Sequence, residues 1–463
     1  MKKKIVSALL LIASMCGFAQ EQKQKIAQAF EGFLSDSQLN SALASLYVVD
    51  ATTGEVVYEK NARTGMATGS TLKIVTAATA YEILGKDFRY RTQLAYDGNI
   101  ANGMLYGDIW IRGEGDPTLG SWRWKQTNDT LLVNEWRTAL QKKAIMSLKG
   151  RLVADDSPFE SQSVPGGWIF EDIGNYYGAG ASAINWKENQ YDIRLRSGDR
   201  IGERIDILST GMSGKIKFFN ELTSAAKGSG DNAYVYPAGD SSIYLRGTIP
   251  VNENNFSISA AVQDPPVFLL HDFSSRCLGK SQIKFVEASR DIQFVDTSRW
   301  KVIDVHFSPT LDSMVYWFLK KSINLYGEAL VKTFAFRKKG KGATETGLSL
   351  IRDFWKEKGI DLSELNLADG SGLSPLNRIT THAQVTVLLY ARQQPWFRGY
   401  LNAFPEYNGM KMKSGTINGA KGFCGYQTSS NGKAYVFSFL VNNYNGSSSL
   451  LIEKMYKVLD NLK

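Results

Sequence analysis

Three short stretches of the chain carry residue types that can do acyl-transfer chemistry. Ser70 and Lys73 stand three apart in Ser70-Thr-Leu-Lys73, a spacing that puts both side chains on one face of a helix, about one turn apart. A serine hydroxyl needs a neighbouring base to become a nucleophile, and a lysine serves once burial and positive neighbours lower its pKa. A helix N-terminus also favours the negative charge that develops at Ser70. The pattern means little alone, because S-x-x-K begins at Ser70, Ser224, Ser281, Ser298 and Ser430. Ser322-Ile-Asn324 falls between two predicted helices, where a turn can project both side chains into a cleft. Lys413-Ser-Gly415-Thr416 is the chain's sole K-[ST]-G and lies on a predicted strand, where glycine lets a substrate backbone come close. S-x-N recurs at Ser429-Ser-Asn431, which reads as a plain hairpin turn. The order S-x-x-K, S-x-N, K-S-G, each on a suitable element, is what gives the set weight.

Competing chemistries have little support. His271, His306 and His382 stand in no metal-binding spacing, and no G-x-S-x-G elbow occurs. Gly178-Ala-Gly180-Ala-Ser-Ala183 resembles a dinucleotide fingerprint but has no βαβ surroundings. No metal or cofactor is implied.

The elements that must position these residues can be read from periodicity. Residues 22–34 carry an amphipathic helical pattern, and Ser45–Val49 with Glu55–Tyr58 flank a turn as a hairpin. Ser70 to Leu84 reads as an alanine-rich helix stopped by Gly85. From about 93 to 300 the texture is short strands and glycine turns, with one helix near 130–142. Helices are predicted again at 310–321, 325–336, 344–358 and 382–392, then strands at 411–417, 422–428 and 434–442 and a closing helix at 450–462. These predict an α/β domain, an antiparallel sheet flanked by helices, built from residues 20–92 and 301–463. A β-rich insertion at 93–300 interrupts it, with subdomains at about 93–152 with 235–300 and about 153–234.

The chain has 463 residues, 12% of them aromatic, with 54 basic and 45 acidic side chains. Disorder, collagen and coiled coil are excluded by the aromatics and by glycines without a repeat. Met1-Lys-Lys-Lys4, the apolar run from Ile5 to Ala19 and the small residues Gly17 and Ala19 have the layout of a secretory signal cleaved near Ala19. That run is shorter than the roughly 20 residues of a spanning helix. Loss of the three lysines takes the formal charge from +9 to +6, which suits an anionic cell wall at least as well as nucleic acid. Cys277 and Cys424 would remain, too few for a disulfide framework.

The ordered set matches the one known for β-lactamases and penicillin-binding proteins. More narrowly, the chain resembles the class C low-molecular-mass penicillin-binding proteins, the D-alanyl-D-alanine carboxypeptidase/endopeptidase family. Gly107-Asp-Ile-Trp-Ile-Arg-Gly-Glu-Gly-Asp-Pro-Thr-Leu119, Ser308-Pro-Thr-Leu311, Asn324-Leu-Tyr-Gly-Glu328 and Asp369-Gly-Ser-Gly-Leu-Ser374 are similar to family stretches, as is the 252-position gap from Ser70 to Ser322. The sequence departs from the family's habit at Ser414 (often threonine), at Gly69 (usually alanine) and at Pro375 (arginine in many members), where Arg378 could stand in.

The resemblance implies a β-lactamase-like fold and a periplasmic enzyme acting on peptidoglycan stem peptides that end in D-Ala-D-Ala or are cross-linked. β-Lactam antibiotics would acylate it, and neither nucleic acid nor a membrane-spanning segment would be involved. Ser70 would be the nucleophile, Lys73 its base and Ser322 the proton relay to the leaving amine. Asn324 would hold a substrate amide, Lys413 would supply charge, and Ser414 and Thr416 would bind the terminal carboxylate. Asp172, in Trp168-Ile-Phe-Glu-Asp172, would bind the side-chain ammonium of diaminopimelate. Asp369 is expected to form a turn. The alternatives are a β-lactamase or esterase on the same scaffold, or a non-catalytic wall-binding protein.

Overall fold

The computed structural model describes residues 22–212, 216–239, 242–292 and 294–463; the expected leader lies outside them. The described chain divides into two compact units, one from residues up to Tyr81 with Val315–Ser322 and Ile351–Lys463, the other from Glu82–Met314 with Ile323–Leu350.

The first unit is built on a six-stranded antiparallel sheet. Its order is Glu406–Tyr407, Met410–Ile417, Ala420–Thr428, Ala434–Asn442, Leu43–Asp50 and Val56–Lys60, so the predicted hairpin pairs its N-terminal strand with the C-terminal one. One face is covered by the helix at 22–34 and the closing helix Ser448–Leu459, through Phe30, Phe33, Phe439, Leu451 and Met455. The predicted helix from Ser70 divides into a 3-10 turn at Gly69–Leu72 and an α-helix at Lys73–Leu84. Nine consecutive residues, Lys73 to Tyr81, are buried, so this stretch of the helix is enclosed on all its faces.

The second unit carries a seven-stranded mixed sheet with Lys301–Phe307 and Arg91–Tyr96 at one side and Ser147–Asp155 pairing in parallel with Gln282–Glu287. Two smaller sheets lie along Gln190–Arg196 and Ser242–Pro250. Two helices in the unit's core cluster, Asp129–Lys142 and Pro265–Cys277, bury Trp136 and Phe273. The second of these helices corrects the expectation of a single helix between 93 and 300. Its start was readable: Asp264 caps the Val267 N–H at 3.1 Å ahead of Pro265-Pro266, and proline is well tolerated in a first helical turn. Phe397–Ala403 is a further short helix that periodicity missed. Cys277 and Cys424 are free and buried, one in each unit.

Candidate active site

Ser70 occupies the 3-10 turn rather than the helix proper, and Lys73 is the first residue of the helix. The turn keeps the two side chains together. Lys73 Nζ lies 2.8 Å from Ser70 Oγ and donates at 2.7 Å to the Ser371 carbonyl. The Phe318 ring stands 5.9 Å from the same nitrogen. Lys73 is fully buried, so its side-chain nitrogen is held in place and little hydrated.

The Ser371 carbonyl is presented by a loop that Asp369 organises. The Asp369 carboxylate accepts from the N–H groups of Gly372 and Ser374 at 2.7 and 2.6 Å and from Asn377 Nδ2 at 2.9 Å. The turn-forming expectation for Asp369 thus has a second consequence, since the same loop grips the lysine. Arg378 is folded back onto the loop's carbonyls at Pro375 and Asn377.

Strand Met410–Ile417 runs directly beside the Ser70 turn. A Cβ on Gly415 would stand 2.1 Å from the Thr68 carbonyl and 3.0 Å from Ser70 N, and one on Gly69 would stand 2.5 Å from Thr416 N. Glycine at 415 is therefore required by close backbone packing. The backbones of the Ser70 turn and of Gly415-Thr416 thus lie close beside one another.

On that strand Lys413 is fully buried, and burial pushes its pKa down to about 7, with the charge of Lys421 adding to the shift and Cys424 opposing it. Its ammonium donates to the Ser414 carbonyl at 2.7 Å. Ser414 Oγ has a long contact with the Tyr407 hydroxyl at 3.5 Å, and Thr416 Oγ1 accepts from Lys421 Nζ at 2.7 Å. Sequence reading passed over Lys421, which the strand register places across the hairpin from Thr416.

Ser322 ends the segment after helix Leu311–Lys320 with φ of +58°. That left-handed conformation is disfavoured for a non-glycine residue and costs about 1–3 kcal/mol. Strain of this kind persists only where the surroundings impose it.

Asn324 and Asp172 belong to the second unit, which brings them to a common neighbour. Asn324 Nδ2 donates to the Tyr177 carbonyl at 2.7 Å, and the Tyr177 hydroxyl bonds the Asp172 carboxylate. Burial, then the charge of Glu171, push Asp172 up to about 6 against that hydrogen bond. Tyr326, on the helix that Asn324 begins, donates at 2.9 Å to buried Glu188, which also accepts from Ser121 and Arg123 at 2.7 Å each. Glu188 sits in a run of three left-handed residues, Lys187 to Asn189. Among the described residues no group of three His, Cys, Asp or Glu side chains could hold a metal ion.

A sequence profile of the D-Ala-D-Ala carboxypeptidase 3 (S13) family matches residues 26–462. The chain belongs to that family. It is therefore a serine DD-carboxypeptidase by family, as the resemblance implied. It is 25% identical over 460 residues to a D-alanyl-D-alanine carboxypeptidase of Actinomadura sp. strain R39, covering 93% of this chain and 83% of that protein. The crystal structure of penicillin-binding protein 4 (dacB) from Haemophilus influenzae superposes with a TM-score of 0.78 at 21% identity, over 91% of this chain and 96% of the other. The structure of that Haemophilus protein complexed with a β-lactam gives 0.72 with the same identity and coverage. These likenesses show the expected penicillin-recognising fold. Among the described residues no helix is long and apolar enough to cross a membrane.

Proposed function

We propose that this S13 family member hydrolyses the D-Ala-D-Ala bond of peptidoglycan stem peptides through an acyl-enzyme on Ser70. The observation that carries the reading is the 2.8 Å contact between Lys73 Nζ and Ser70 Oγ, within the reach a base needs. Lys73 takes the hydroxyl proton as Ser70 Oγ bonds to the carbonyl carbon of the penultimate D-alanine. The N–H groups of Ser70 and Thr416 hold the oxyanion. The C–N bond then breaks, and Ser322 passes a proton to the departing amine of the terminal D-alanine. Water attacks the ester, giving the shortened peptide and free Ser70.

Asn324 holds a substrate amide, and Lys413, Ser414 and Thr416 receive the terminal carboxylate. Asp172 takes the ammonium of a diaminopimelate side chain; its burial beside Tyr177 supports a carboxylate set aside for a cation. In cross-linked peptides the same D-alanine carbonyl is bonded instead to the side-chain amine of a neighbouring stem, so they are substrates too. β-Lactams acylate Ser70 by opening of the four-membered ring. The basic and apolar segment Met1 to Ala19 supports export to the periplasm, where these substrates lie.

Purified protein should become covalently labelled by a fluorescent penicillin, and Ser70→Ala should not. Mass spectrometry of digested muropeptides should find D-alanine lost. Equal labelling of the alanine variant sinks the assignment, and rapid nitrocefin turnover without D-alanine release favours a β-lactamase.

A further inference from the structure

Thr416 is an exposed residue at the mouth of the Ser70 turn, and its hydroxyl is already engaged by a lysine that the S-x-x-K, S-x-N and K-S-G motifs do not include. Lys421 lies directly across the hairpin from Thr416, and its Nζ donates to Thr416 Oγ1 at 2.7 Å. Only 8% of the residue is exposed. Its stem runs past the Phe423 ring, 5.3 Å from the ammonium. Among the described residues no carboxylate pairs with Lys421, nor with Lys413 on the neighbouring strand. A lysine ammonium has three donors, and the Thr416 hydroxyl takes one.

Burying an ammonium without a counter-ion is costly, and this hairpin does so twice, at Lys413 and at Lys421. The burial depresses the pKa of both lysines. Such an arrangement is explained if an anion completes it, and the substrate's own carboxylate is the anion that reaches Thr416.

We propose that Lys421 is the counter-ion for the terminal carboxylate of the substrate, held jointly with the Thr416 hydroxyl, and so selects peptides with a free C-terminus. This rests on the DD-peptidase reading above and names a specificity residue for it. A lysine that merely braced Thr416 would matter equally for every substrate.

The test compares two peptides that end in D-Ala-D-Ala, one with a free terminal carboxylate and one with a terminal amide, by the release of D-alanine or D-alaninamide. The wild type should prefer the acid. Lys421→Gln keeps a hydrogen bond to Thr416 and removes the charge. It should cut the acid-to-amide ratio of kcat/KM by about 10- to 100-fold, the range of a charge-assisted hydrogen bond, mainly by raising KM for the acid. Lys421→Arg should restore the ratio. Lys421→Met, checked for folding by circular dichroism, serves if the glutamine variant fails to fold. An unchanged ratio in a folded, active neutral variant overturns the proposal alone, as does an equal loss on both peptides. A wild type that releases nothing from either peptide overturns the functional reading and this proposal with it.

Discussion

Lys73 is held between the Ser70 hydroxyl at 2.8 Å and the Ser371 carbonyl at 2.7 Å, so its position is fixed from the chain's far side by a loop 298 residues away. Removal of the amine should cost the reaction its base with little effect on the turn. Lys73→Met should slow acylation by a fluorescent penicillin about 10²–10⁴-fold, the usual scale of general-base catalysis, with an unchanged circular dichroism spectrum. Labelling at the wild-type rate would show that the proton leaves by another route.

Close backbone packing at Gly415 leads to a second expectation. A methyl group there meets the Thr68 carbonyl at 2.1 Å, so Gly415→Ala must push the strand away from the Ser70 turn and widen the space between the two N–H groups. Loss of one oxyanion donor is worth about 10²–10³ in rate, and acylation should fall by that order. A variant that acylates normally would place the oxyanion elsewhere.

Lys413 gives a pH dependence with a definite sign. Because burial lowers its pKa to about 7, it is charged below that pH and neutral above it. If its charge is used, kcat/KM for acid-terminated peptides should decline as pH rises through about 7. Lys413→Arg, which stays charged, should move the decline out of the range. Identical profiles for the two proteins would exclude this role.

Asp172 titrates in the opposite functional sense. Its carboxyl is pushed up to about 6, so it carries charge above that pH and loses it below. KM for stem peptides with a free side-chain ammonium should rise as pH falls through about 6, while peptides acetylated at that amine should show no such rise. Asp172→Asn should abolish the difference between the two peptides at all pH values.

A stability measurement can be made away from the active site. In the second unit Glu287 is pushed up to about 7 by burial and by the neighbouring Asp156, which is itself raised by burial. A carboxyl raised on folding binds its proton more tightly in the native state, so its contribution is present at low pH and lost as pH rises through about 7. The melting temperature of Glu287→Gln, measured against the wild type from pH 5 to pH 8, should therefore gain on it as pH rises. A constant difference would remove Glu287 as the cause.

Much of the site was written in the sequence. Ser70-Thr-Leu-Lys73, Ser322-Ile-Asn324 and Lys413-Ser-Gly-Thr416 were identified with their order, and the strands and helices that bear them follow from local periodicity. Even the missed helix Pro265–Cys277 had a local mark in Asp264-Pro-Pro266. Capping, turn chemistry and hydrophobic period are interactions between residues a few positions apart, so a linear reading reaches them.

What the tertiary structure alone decided is which distant groups surround those motifs. The Ser371 carbonyl that grips Lys73, the burial that lowers Lys413, and the contact of Lys421 with Thr416 have no signature in composition or spacing. The left-handed conformation of Ser322 and the link from Asn324 to Tyr177 are likewise invisible in the chain. Each depends on strand register or on loops brought together across hundreds of residues, and desolvation exists only once the core has closed. The sequence singled out Ser70 and Lys73; folding brought them within 2.8 Å of one another and set the neighbours that surround them.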